Sequence, residues 1–209
     1  MPHHWAEIAF TKNVRASQEH YGTRENNERL ESAPINATAF SFRETAFIAQ
    51  RDHFYLSTVS ETGWPYVQFR GGPPGFVKTL DETTLGYADF RGNLQYVSVG
   101  NVQHDDRAAL IMVDYPNRKR LKIFAHIQVI DAENNPDLIQ QLTMPDYKAK
   151  IERAVLLRLE AFDWNCPQHI TPRFTEDEIA DALRPIQEKL AMLEQENKIL
   201  KSQISNDQT

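Results

Sequence analysis

Between His53 and Phe162 the chain repeats one pattern, short runs rich in aromatic and β-branched residues separated by polar turns, and this restricts the fold more than any other feature. The runs are His53 to Val59, Tyr66 to Phe69, Phe76 to Leu80, Thr84 to Ala88, Arg107 to Val113, Leu121 to Ile130 and Ala154 to Phe162. Such side chains suit a pleated, half-buried surface. Glu61-Thr62-Gly63, with Pro65 opening the next run, predicts a hairpin, and Asp81-Glu82 a second turn. Short strands joined mainly by hairpins predict a mainly β fold, a closed or partly closed antiparallel barrel, because closure removes exposed sheet edges. Helical stretches are expected at Ala46 to Gln50, Asn93 to Gly100 and Asn135 to Gln141, the last opened by Asn-Pro.

The flanks differ from this central part. Residues 1–43 read as a polar lead-in, helical from about Thr11 to Arg29, and residues 44–173 hold the barrel. From Thr175 the composition turns to Glu, Lys, Leu and Gln, and Thr175-Glu176-Asp177-Glu178 resembles a capping box. In this tail, residues 174–209, Ile179, Leu183, Ile186, Leu190, Leu193, Leu200 and Ile204 recur at spacings of three and four, with Asn197 the polar member of the seam. That is a coiled-coil register with Leu183, Leu190, Asn197 and Ile204 at a, and Asn197 favours a parallel pair. The same stripe also suits a single amphipathic helix packed on its own barrel, and Pro185 disturbs its start.

A net charge of −6 argues against a general nucleic-acid or membrane-surface binder, since phosphate rewards clustered Lys and Arg. No apolar run approaches the roughly 18 residues needed to span a bilayer. The single Cys166 cannot form an intrachain disulfide, and nothing near the N-terminus reads as a leader, so the expected compartment is the cytoplasm.

Two segments carry candidate chemistry. In Gln68-Phe69-Arg70-Gly71-Gly72-Pro73-Pro74-Gly75 a strand runs into paired glycines and prolines beside an arginine. Its backbone N–H groups could meet an anion or the polar edge of a heterocycle, or the run could be a tight connection between strands. Asp89-Phe90-Arg91-Gly92-Asn93, with Gln95, falls where a strand gives way to an expected helix, a place for a phosphate or for simple capping by Asp89 or Asn93. Arg118-Lys119-Arg120-Leu121-Lys122 places Arg120 and Lys122 on one face of a strand, where a solvated hairpin flank is the plainer role. Cys166 and His169 do not make a zinc site, which takes four ligands, and no metal is expected. His104, His126 and His169 read as structural, and no catalytic residue can be assigned.

The order of Gln68 to Lys78 followed by Ala88-Asp89-Phe90-Arg91-Gly92-Asn93 resembles the pyridoxamine 5′-phosphate oxidase-related FMN-binding proteins, over roughly residues 40 to 172. The resemblance implies an FMN-binding split barrel, a homodimer with flavins at the subunit interface, and a small-molecule substrate. It places Gln68, Arg70, Gly71 and Gly72 along the flavin ring or ribityl chain, and Lys78 where the oxidases have a lysine. Asp89 belongs to the same cluster, and Arg91, Asn93 and Gln95 would serve the phosphate. Arg120 and Lys122 lie on a strand that faces flavin in the family, and Asn165 and Gln168, in Trp164-Asn165-Cys166-Pro167-Gln168-His169, are expected beside the cofactor. The oxidases end in an Arg- and His-containing motif that grips pyridoxal phosphate, and this chain shows no counterpart. The leading expectation is therefore an FMN-dependent oxidoreductase on another small substrate. The alternatives are a non-catalytic flavin carrier or redox-sensing module, and a barrel that holds haem or a deazaflavin instead.

Overall fold

Along most of the runs above, every second side chain is large and apolar, so each strand buries one face. In the computed structural model, which describes residues 3–34, 37–165 and 167–206, these runs become seven strands. They are β1 (His53–Val59), β2 (Pro65–Gly71), β3 (Lys78–Asp81), β4 (Thr84–Phe90), β5 (Arg107–Asp114), β6 (Lys119–Asp131) and β7 (Ile151–Asn165). All pair antiparallel in the order β2-β1-β5-β6-β7-β4-β3. No backbone ladder joins β2 to β3 or β4 among the described residues, so the barrel is split along that seam. Two compact units are present, Met1–Asp114 with Arg118–Gln168, and Tyr115–Asn117 with His169–Thr209.

The first unit's core is filled by Phe54 and Leu56 of β1, Leu85 and Tyr87 of β4, Leu110 and Met112 of β5, Leu121 and Ile123 of β6, and Val155 and Leu157 of β7. Phe54 meets Tyr87 edge-on at 5.4 Å and stacks near Phe76 at 5.9 Å. Burial pushes the Tyr87 hydroxyl's pKa far up, so it stays protonated. Where β6 pairs with β7 the ladder slips at Phe124 and Ala125, which face Ala161 and Leu159 and leave Glu160 as an extra residue. Glu160 accepts a hydrogen bond from His4 at 2.7 Å and lies 3.7 Å from His126.

The helices depart from expectation in instructive ways. The lead-in holds α1 (His4–Ala9), α2 (Lys12–His20) and α3 (Arg24–Ser32). The helix expected from Thr11 to Arg29 is two helices, because Gly22 sits at φ 68° and turns the chain. α1 was not apparent from the pattern; its Trp5 stacks on Phe124 at 5.9 Å. Phe76 and Val77 pack in the core ahead of β3 rather than within it, since Pro73 to Phe76 forms a turn with Gly75 at φ 82°. The helix expected from Asn93 is α5 (Val97–His104). Leu94 and Tyr96 have φ 63° and 52°, which no helix allows, and Asn93 Oδ1 instead accepts the Gln95 N–H at 3.2 Å.

The helix expected from Ala46 begins earlier, as α4 (Phe42–Ala49), because Ser41 and Glu44 form a reciprocal capping box. Glu44 is buried and also accepts the Trp164 indole N–H at 2.7 Å, tying α4 to the end of β7. Arg43 lies over the same indole at 4.3 Å. α6 (Pro136–Leu142) starts on the expected Asn-Pro, with Asn135 accepting the Leu138 N–H at 3.1 Å. In the second unit α7 (Glu176–Asn206) runs from the expected capping box, in which Thr175 and Glu178 bond reciprocally. Arg173 lies over the Tyr115 ring at 5.0 Å.

Burial alone would raise the Glu44 pKa, but the hydrogen bonds from Ser41 and Trp164 outweigh it and hold the carboxyl below its ordinary 4.5. Its stabilisation is therefore present above pH 4.5 and is lost as the pH falls through the lowered folded value. Glu44→Gln should cost about 1–3 kcal/mol at neutral pH, read as a lower urea midpoint. The gap to the parent protein should narrow below pH 4.5; a constant gap would show that ionisation of Glu44 is not what stabilises α4.

Candidate functional site

Strand alternation decides what β2 presents. Tyr66, Gln68 and Arg70 share the half-buried face, while Val67 and Phe69 point the other way and are 61 % exposed. The first face borders a cleft of about 430 Å³ whose other wall is the Asp89 to Val99 segment and Arg153. This volume is in the range of small-molecule sites, roughly 300–1,000 Å³.

Asp89, 2 % exposed, is the electrostatic centre of the cleft. It faces Arg153 across the β4–β7 ladder and accepts from its Nε at 2.9 Å and its Nη2 at 2.8 Å. Its other oxygen accepts from Arg70 Nη1 at 2.6 Å. One carboxylate thus bridges two guanidinium groups and links β2, β4 and β7. Burial works against the charge on Arg153, but the bonds to Asp89 outweigh this and raise its pKa. Arg153 also bonds Glu152 at 3.0 Å and lies over the Tyr96 ring at 4.8 Å.

A second, neutral network sits beside the first. The Gln68 side-chain amide donates to Ser98 Oγ at the start of α5, Ser98 meets Thr58 at 3.3 Å, and Asn101 donates to Thr58 Oγ1 at 2.9 Å. These bonds fix the Gln68 rotamer. Asn93 and Gln95 stand exposed at the rim of the cleft.

The cleft therefore gathers Gln68, Arg70, Asp89, Asn93 and Gln95 from the candidate residues. The others lie elsewhere. Arg91 is half exposed and 3.6 Å from Glu152. Gly71 and Gly72 serve packing: a Cβ on Gly71 would lie 2.7 Å from the Phe69 ring, and one on Gly72 2.7 Å from Phe76. The Gly72 N–H is already given to Asp52 O at 2.9 Å, so it is not open to an anion. Lys78 donates to the Gln141 and Thr143 carbonyls at 2.7 and 3.3 Å, closing the C-terminal end of α6. Lys122 pairs with Asp163 at 2.8 Å under the Trp5 ring, and Arg120 faces Asn165 in the β6–β7 register. Gln168 lies in an exposed turn. The Asn165 side chain and the whole of Cys166 lie outside the described residues.

Sequence reasoning missed Arg153, Tyr96 and Ser98. Arg153 had one faint signal, a charged pair with Glu152 opening an apolar strand, but its value depends on lying opposite Asp89, which only the pairing reveals.

The residues present suit a phosphate-bearing planar cofactor. Arg70 Nε is buried with no hydrogen-bond partner among the described residues, and an unmet buried donor is costly unless something from outside supplies an acceptor. Around it stand side-chain amides and the Tyr96 ring. Among the described residues no three His, Cys, Asp or Glu side chains gather as a metal site would need.

A family profile, pyridoxamine 5′-phosphate oxidase, matches residues 43–165. The chain belongs to this family. The match spans β1 to β7 and both walls of the cleft. Solved structures that resemble it include a protein provisionally designated a pyridoxamine 5′-phosphate oxidase from Lactobacillus delbrueckii, with 18% identity over 62% of this chain and 97% of that one, at a TM-score of 0.48. An FMN-binding protein from Syntrophomonas wolfei has 12% identity over 73% and 97%, at a TM-score of 0.46. An F420 reductase has 15% identity over 56% and 94%, at a TM-score of 0.40. No curated protein matches the sequence significantly. The chain is thus a split-barrel member of the pyridoxamine 5′-phosphate oxidase family with a long C-terminal helix.

Removing the carboxylate at the centre of the cleft tests the triad. Asp89→Ala should lower stability by about 3–5 kcal/mol, because it strips the partly buried Arg70 guanidinium of its counter-charge and leaves Arg153 with Glu152 alone. A urea midpoint within error of the parent would show that the triad does not hold the barrel walls together.

Proposed function

We propose that the protein binds FMN in the cleft between β2 and the Asp89 to Val99 segment and acts as an oxidoreductase on a small substrate. One observation carries the reading: in a member of this family, the cleft presents a buried Arg70 Nε with no partner, beside Gln68, Asn93, Gln95 and Arg153. Gln68 and Arg70 would hold the ring and ribityl portion, and Asn93 and Gln95, with Arg91 nearby, the phosphate. Arg153 joins this set by its place in the cleft. When bound, the flavin supplies the electron transfer.

The residues' part is orientation and electrostatics. Ser98 locks the Gln68 amide, so its hydrogen bonds are set before a ligand arrives. Arg70 and Arg153, held by Asp89, present positive charge that would stabilise a reduced, anionic ring.

The same reading makes the working form a homodimer. β2 is an edge strand, and its Val67 and Phe69 stand 61 % exposed near Trp64 at 76 %, an apolar patch that a second copy would cover.

A second reading, a flavin carrier or redox-sensing module without turnover, is favoured by the engagement of Asp89. The acid at the centre of the cleft already spends both of its oxygens on two arginines. Steady-state kinetics separate the two: an enzyme's flavin is reduced by NADH or NADPH and reoxidised by an acceptor faster than free FMN, and a carrier's is not.

The purified protein should show flavin absorption and release a cofactor with the mass of FMN. Arg70→Ala should weaken FMN binding about 10- to 100-fold by fluorescence titration, since a hydrogen bond to a charged group contributes roughly 1.5–3 kcal/mol. Lys78→Ala should leave the affinity unchanged. A colourless protein that fails to bind added FMN defeats the proposal, and a deazaflavin or haem spectrum would reassign the cofactor.

A further inference from the structure

The second unit presents a helix whose apolar stripe has no use in the proposed flavin chemistry. Along α7, Ile179, Leu183, Ile186, Leu190, Leu193 and Leu200 are each between 43 and 64 % exposed. A stripe of that length, at spacings of three and four, is costly to leave in water. Its residues recur every seven positions at a and d, the repeat that lets two helices wrap around each other as a left-handed pair.

We infer that α7 is a dimerisation element that pairs, parallel and in register, with α7 of a second copy of this chain. Two features select that occupant. Asn197 falls at an a position amid leucines, and in a parallel in-register pair the two Asn197 side chains meet each other and can hydrogen-bond across the axis. Shifting the register, or reversing one helix, would set each amide against leucine and leave it unsatisfied. The charges agree. In a parallel pair each g residue approaches the e residue five positions later on the partner, which sets Lys189 against Glu194 and Glu196 against Lys201. Both combinations are opposite in sign and each occurs twice in a symmetric pair. The f positions, Asp181, Glu188, Gln195 and Ser202, are polar and would face water.

The pairing does not require flavin, so the inference stands apart from the proposed function. It commits each barrel to a neighbour through a contact independent of the exposed edge of β2.

Site-directed cross-linking of the full chain tests it. Leu193→Cys at a d position and Gln195→Cys at an f position are compared under mild oxidation, in a Cys166→Ser background, with that background protein as control. A parallel in-register pair brings the two residue-193 thiols together across the axis. Near-complete disulfide dimer is expected for Leu193→Cys on a non-reducing gel, with background levels for Gln195→Cys. No cross-link at 193 overturns the inference, since the helix would be unpaired, antiparallel or packed elsewhere. Equal cross-linking at both positions also overturns it, because it would mean tails tethered nearby without a defined seam. Circular dichroism of each variant, unchanged from the control, confirms that the substitutions have not unfolded α7.

Discussion

The buried carboxylate of Asp89 is the interaction on which the barrel and its cleft both depend. Among the described residues the sheet order leaves β2 without a hydrogen-bonded neighbour on its outer side, so their backbone pairing alone does not close the barrel. Arg70 reaches from β2 to Asp89 on β4, and Arg153 reaches the same carboxylate from β7. A salt bridge of this kind gives little net stability when compared with apolar packing, but breaking it is expensive. Its value here is geometric: the seam is held by charge at the place where the cleft needs charge.

Much of this was legible in the sequence, because strands advertise themselves through alternation and turn residues. Each of the seven runs overlaps a strand, and the capping box at Thr175 begins α7, whereas the one at Ser41 was not read and α4 starts ahead of the expected Ala46. Structure and local pattern part company where a local rule meets a tertiary one. Asn93 looks like a helix cap, yet Leu94 and Tyr96 take left-handed backbone and α5 starts later. Gly72 looks like part of a loop opened for a ligand, yet a Cβ there would press on the root of the buried Phe76 side chain. Lys78 matches a family position, but its ammonium is taken by two carbonyls at the end of α6.

The cleft itself was half legible. Gln68 and Arg70 stand two residues apart on one strand, so period two places them on one face. Asp89 and Arg153 are 64 positions apart, and their meeting follows from the β4–β7 ladder, which no local pattern encodes. Residues far apart in sequence that act as one group are the part of a site that a linear reading misses.

The extra residue in β7 has a consequence beyond its local kink. Val155, Leu157 and Leu159 face the core on odd numbers; past Glu160 the inward residues are Phe162 and Trp164, on even numbers. The bulge is a change of parity in the strand. Without it Asp163 would be carried into the core, and the indole that meets Glu44 and packs on Phe47 would turn outward. Glu160 sits at that change: drawn into a regular ladder it would invert every later side chain of β7, whereas its deletion would straighten the strand and leave Phe162 and Trp164 facing inward.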